Sequence, residues 1–204
     1  MSCEVTEARA SSEMYGFLAG VLSAHPTEGG AAALRRLAAG MGIACPGPLA
    51  IAELEREYTE LFVVPNVRYV APYESVYRDG RHPPGTPPGS SPAEDDERIA
   101  GLLMGDSTLE VREAYARAGI LAEEDLPDHI GNELRFIAYT WAKEAETEPE
   151  DRVAWAEIRR RFGRDHVRQW IGLLRQRVAE RERLGYYGAA LQVVSALLGE
   201  DDGR

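Results

Sequence analysis

The stretch EEDLPDHIGNELRFIAY, residues 123–139, decides the fold class. Three acids lead into Pro127. Beyond it Ile130, Leu134 and Ile137, joined by Trp141 just after the quoted run, recur at three- and four-residue spacing. That is the period of one buried helix face, whereas a strand would alternate every second residue. Asp128 and His129 stand at the head of this helix. Four roles suit an Asp-His pair there: an acid-base dyad, a metal site, a helix cap, or part of a peptide-binding surface. An acid in a first helical turn is favoured by the macrodipole and can accept bonds from free backbone amides, so Asp125 or Asp128 could serve as a cap with no further role.

Outward from this run the helical period persists. In EMYGFLAGVL, Met14, Phe17, Leu18, Val21 and Leu22 mark one face. GAAALRRLAAG reads as a short helix ended by a glycine, and LAIAELEREYTELF sets Leu54, Tyr58, Leu61 and Phe62 against a largely acidic side. In STLEVREAYARAG, Ser107 with Glu110 three residues on has the form of a capping box, and Gly119 suits a left-handed stop. EDRVAWAEIRRRFG, RDHVRQWIGLLRQRVAERERLG and YYGAALQVVSALLG supply the late helices. With no run of alternating strands, the expected class is all-α, a single helical domain over 1–204.

One segment breaks the order. Seven of the twelve prolines fall between Pro65 and Pro92, and RHPPGTPPGSSPAEDDE is poor in apolar residues. Residues 64–101 therefore read as a largely irregular loop or hinge between N- and C-terminal helical blocks. Within it VAPYESVY is aromatic and apolar, unlike a floppy surface insertion. Phe62, Tyr69, Tyr73 and Tyr77 gather around Pro65 and Pro72 with Glu74 among them. That pattern suits either a rigid surface for an extended peptide or a loop tucked into the core.

Composition narrows the function. The chain has 204 residues, 23 basic and 34 acidic, for a net charge of −11. Such a surface disfavours nucleic acid and permits a basic partner, although solubility alone also explains acidity. No apolar run is long enough to span a bilayer, and MSCEVTEARASSE lacks the apolar centre of a signal peptide. Cys3 and Cys45 make neither a disulfide framework nor a metal cluster, so a cytoplasmic setting is expected. There is no Walker loop, dinucleotide fingerprint or nucleophile elbow. His129 and Glu133 lie four apart beside Asp128, which leaves open a small metal-dependent helical hydrolase, or a plain structural scaffold.

Taken together, EYTELFVVP (57–65), PYESVY (72–77), LLMGDSTLEVREAYARAGI (102–120), PDHIGNELRFIAY (127–139) and DHVRQWIGLL (165–174) resemble the TorD/DmsD/NarJ-type chaperones. These are redox enzyme maturation proteins dedicated to molybdoenzymes. The resemblance implies an all-helical protein with no cofactor of its own and no enzymatic activity. It implies binding of a molybdoenzyme catalytic subunit, or of its leader peptide, often a twin-arginine one, before cofactor insertion and export. It also implies a monomer or a domain-swapped homodimer. The family's motifs match Pro72, Tyr73, Glu74, Ser75 and Tyr77 in the loop, and Asp128 and His129 at the helix. In that reading Glu74 and Asp128 pair the guanidinium groups of a leader, while Leu61, Phe62 and Tyr73 give apolar contact. Tyr73 stands where some members carry tryptophan, and the proline-rich stretch from Tyr77 to Leu102 is longer than is usual.

Overall fold

The computed structural model describes residues 3–79, 105–121 and 126–201. The proline-rich run after Gly80, His82 and Asp125 lie outside the described residues. The helices are α1 (Cys3–Ser23), α2 (Glu28–Gly40), α3 (Ile51–Tyr58), α4 (Glu74–Arg78), α5 (Asp106–Arg117), α6 (Ile130–Glu146), α7 (Pro149–Phe162), α8 (Arg168–Arg181) and α9 (Tyr186–Asp201). Two π-helical turns, Thr59–Val63 and Gly163–Val167, continue α3 and join α7 to α8. Among the described residues the only β pairing is an isolated antiparallel bridge between Tyr73 and His129, so the all-α expectation holds.

α9 is the centre of the core. Tyr187, Ala190, Leu191, Val193 and Val194 are fully buried and leave hardly any polar face, as befits a helix surrounded by others. α1 and α6 form the most extensive helix pair. α1 buries Ala8, Tyr15, Leu18, Ala19 and Leu22, while Met14, Phe17 and Val21, expected on the same face, lie half-buried at its margin. α6 buries Ile130, Leu134, Ile137 and Trp141, as its period indicates. The two helices are pinned where Ser12 Oγ donates to the carbonyl of Ala138 at 2.8 Å. At the other end of the pair Gly131 meets Ser23 so closely that a Cβ there would lie 2.5 Å from Ser23 Cβ.

Local signals succeeded at some helix ends and failed at others. Gly119 has φ +80° and stops α5 as expected. At α2 the left-handed residue is Gly42 (φ +68°), two positions beyond the glycine that ends the helix. The capping box at Ser107 is not formed. Ser107 lies inside the first turn of α5, and its amide and hydroxyl both donate to Asp79, at 2.9 and 2.6 Å. Glu110 instead reaches Arg78 at 3.2 Å. A carboxylate 28 residues away satisfies the amide that the local box would have used. Gly163, where the sequence suggests a break, keeps α-helical angles (φ −56°, ψ −44°), and the chain runs on through the π turn.

α7 is locked to its neighbours by a buried cation. Arg159 Nε donates to Asp201 of α9 at 3.1 Å, its Nη1 pairs with Glu144 of α6, and the guanidinium lies 3.2 Å from the centre of the Trp141 ring. Within the segment expected to be irregular, α4 provides a short helix packed between α5 and α8.

The close approach at Gly131 gives a direct test. Gly131→Ala overpacks the α1–α6 crossing against Ser23, and urea denaturation should show a loss of about 1–3 kcal/mol.

Candidate functional site

The site is built where the loop 70–73 runs antiparallel past residues 128–130. Ile130 N donates to the Pro72 carbonyl and Glu74 N to the Asp128 carbonyl, both at 2.9 Å. α4 begins at this bridge, with Tyr73 in the N-cap position but no side-chain cap of its own. Asp128 supplies it: its Oδ2 accepts from Ser75 N at 3.0 Å. His129 caps the other helix, since its Nδ1 accepts from Gly131 N at 3.0 Å. Adjacent residues thus cap two different helices, which is why an Asp-His pair stands at the mouth of α6.

Below the bridge lies a buried polar cluster. Glu74 accepts from Arg78 at 2.5 Å and its other oxygen lies 3.1 Å from His166 Nδ1. Glu133, fully buried, accepts from Trp170 Nε1 at 3.1 Å, and its other oxygen has no hydrogen-bond partner among the described residues. Burial, and then the charge of Glu74, push the Glu133 carboxyl well above the usual carboxylate range. Tyr77 closes the cluster, its hydroxyl donating to the Ala71 carbonyl at 3.0 Å and its ring stacked on Trp170 at 5.3 Å. A cavity of about 360 Å³ opens beside it, lined in part by Arg78, Phe136, Phe162 and His166.

Above the bridge lies an aromatic seam. The rings of Tyr73 and His129 meet edge to face at 5.2 Å. Tyr58 contacts His25 (5.2 Å) and Phe62 (5.8 Å), and lies within electrostatic reach of both Tyr73 and Arg135. Arg135 is exposed and held by Ser23 Oγ at 2.6 Å and Asn132 Oδ1 at 2.7 Å. Burial, reinforced by Arg135 and opposed by Asp128, lowers the His129 imidazole to about 4. It is neutral at pH 7, as an acceptor of the Gly131 amide must be.

The nine residues singled out from the sequence divide cleanly. Phe62, Tyr73 and His129 are half-buried and reach the surface, whereas Leu61, Pro72, Glu74, Ser75, Tyr77 and Asp128 are buried beneath it. The carboxylates expected to meet a guanidinium are therefore closed from solvent and already bonded within the fold. Asp128, His129 and Glu133 do not converge on one point. They serve Ser75, Gly131 and Trp170, and among the described residues no group of three His, Cys, Asp or Glu side chains could hold a metal ion. Sequence reasoning missed His25, Arg135 and His166. Their roles depend on partners 33 to 112 residues away, with no local pattern to mark them.

An all-helical bundle is the fold class the resemblance implied, and comparison with known proteins agrees on the family. The family model described as nitrate reductase delta subunit matches residues 24–176, and the chain belongs to that family. Relatives named Chaperone protein TorD, from three strains of Vibrio cholerae serotype O1, are each 24% identical over 153 residues. The match covers 73% of this chain and 60% of theirs, so it spans less than two thirds of those relatives. No solved structure is a significant match.

Two outcomes follow from the buried groups. Asp128→Ala leaves the Ser75 amide without an acceptor and should cost about 1–3 kcal/mol in chemical denaturation, with Asp128→Asn losing less. For Glu133, the raised folded value means that its contribution is present below the unfolded value of 4.5 and is lost as pH rises. Glu133→Gln mimics the neutral carboxyl, so its Tm should exceed that of the wild type at pH 8, with the gain vanishing near pH 4.5.

Proposed function

We propose that this chain is a non-enzymatic chaperone for a molybdenum-cofactor oxidoreductase. It holds the immature catalytic subunit, or the leader peptide of that subunit, in the cytoplasm until cofactor insertion and assembly are complete. Membership of the family and the name borne by the Vibrio relatives support the class of function. Among the described residues no helix is long and apolar enough to cross a membrane.

The observation that carries the reading to a surface is the bridge between Tyr73 and His129. It brings the 72–77 and 127–139 motifs together and leaves one half-buried aromatic ring from each at the same place. A leader with arginines and an apolar stretch suits that place. The guanidinium groups stack on the Phe62 and Tyr73 rings, a contact suited to planar cations. Apolar residues lie along the seam toward Tyr58. Glu74 and Asp128 act from below by fixing α4 and the bridge, and the net charge of −11 speeds encounter with a basic segment.

The test is co-purification of tagged full-length protein from its native host while a molybdoenzyme is being made, followed by titration of the retained subunit against variants. Recovery of an immature molybdoenzyme subunit is expected, with Tyr73→Ala weakening binding about tenfold, the scale of an aromatic interface anchor, while circular dichroism shows the variant folded at the assay temperature. Absence of any such subunit would overturn the reading. Equal affinity of Tyr73→Ala and wild type would move the contact elsewhere.

A further inference from the structure

The cavity of about 360 Å³ opens among α5, α6, α7 and the π turn that follows α7, and it shares no residue with the aromatic seam. Its wall is a run of rings. Phe136 meets Phe162 at 4.5 Å, and Phe162 meets the imidazole of His166 at 4.7 Å, with Ala114 and Ile158 adding to the apolar lining. An apolar cavity of about 150 Å³ is enough for benzene, so this one has room for a single or a fused aromatic ring. Aromatic walls set at an angle suit such an occupant, because rings prefer offset or edge-on partners.

The charged groups around the cavity are matched one to one. Arg78 reaches Glu110 at 3.2 Å, Arg117 pairs with Glu113 at 2.7 Å, and Arg161 lies 3.5 Å from Asp165. The cations and carboxylates cancel, so the lining calls for no charged ligand. An anion would have to break one of these pairs and then face the acid it displaced. His166 is the exception. It is buried in the cavity wall, its Nδ1 lies 3.1 Å from Glu74, and its Nε2 has no hydrogen-bond partner among the described residues. Beside the carboxylate of Glu74 the ring hydrogen belongs on Nδ1, which leaves Nε2 an acceptor. A ring that seals the cavity must supply a donor to Nε2 or leave it unpaired.

We propose that this cavity binds an uncharged aromatic ring carrying one N–H or O–H donor, the chemistry of an indole or a phenol. The ring packs on Phe136 and Phe162, and its donor bonds His166 Nε2. Glu74 sets the tautomer from behind, so His166 is the residue that selects for the donor. The site does not depend on the chaperone reading. A free indole or phenol and the side chain of a tryptophan or tyrosine present the same group.

The test titrates full-length protein by calorimetry with indole and with benzofuran, which has the same fused-ring shape but an ether oxygen in place of the N–H. Indole should bind about tenfold tighter, the scale of one hydrogen bond. His166→Phe keeps an aromatic wall and removes the acceptor, so the preference should vanish while benzofuran binds as it does to wild type. Ala114→Phe puts a ring into the cavity and should abolish binding of both compounds, with circular dichroism showing that each variant is folded. His166→Phe also strips Glu74 of a partner, and if that variant does not fold, the wild-type preference together with Ala114→Phe decides the matter. N-acetyltryptophanamide, titrated in parallel, separates the sources. Affinity at or above that of indole assigns the site to a polypeptide side chain, and affinity about tenfold lower, the loss of one such hydrogen bond, assigns it to a free ring; both accord with the proposal. Equal affinity of wild type for indole and benzofuran, no binding of indole up to its solubility, or undiminished binding by Ala114→Phe overturns it. Tighter binding of indole-3-acetate than of indole would make the cavity an anion site and overturn it as well.

Discussion

The bond from the Ser75 amide to the Asp128 carboxylate crosses 53 residues of chain, and much of the site hangs on it. α4 is five residues long, too short to be stable alone, since helix nucleation costs more than one turn returns. It persists because its start is capped by Asp128 and because Asp79, just past its end, reaches across to the start of α5. Through α4 the Tyr73–His129 bridge is fixed to α6 above, and Glu74 is fixed to His166 and Arg78 below. The result is a buried, polar, cross-braced platform with an aromatic surface on top.

That arrangement separates two jobs often assigned to the same residues. The acids are structural: Glu74 and Asp128 are withheld from solvent and bonded to the Ser75 amide, His166 and Arg78 inside the fold. In the proposed function, recognition falls to the half-buried rings of Phe62, Tyr73 and His129. Depletion of charge at the centre and enrichment in aromatic side chains is the usual composition of a protein interface. Loss of an acid beneath the platform and loss of a ring above it should therefore have different signatures, the first in stability and the second in affinity.

The legible part of the sequence was the part governed by local period. α6 follows from Ile130, Leu134, Ile137 and Trp141, and α5 ends at Gly119 because a left-handed residue is needed there. Contacts that local rules compete for were not legible. Ser107 and Glu110 have the form of a capping box, yet Asp79 takes the Ser107 amide and Arg78 takes Glu110. Burial of acids was hidden for the same reason. Nothing near Glu74 in sequence announces His166, which reaches it only because the π turn at 163–167 carries the chain on from α7 into α8. The motifs 72–77 and 127–139 were visible separately, and their meeting at a single bridge was supplied by the fold.

The proposed function puts the partner on the surface around Phe62, Tyr73, His129 and Arg135 while the platform beneath stays closed. Hydrogen-exchange mass spectrometry of the full chain, with and without the co-purified partner subunit, tests it most directly. The account predicts that added protection concentrates in peptides covering 58–73 and 129–135, while α4 is already slow to exchange without partner. Protection confined to α7 and α9, with the seam unchanged, would contradict it.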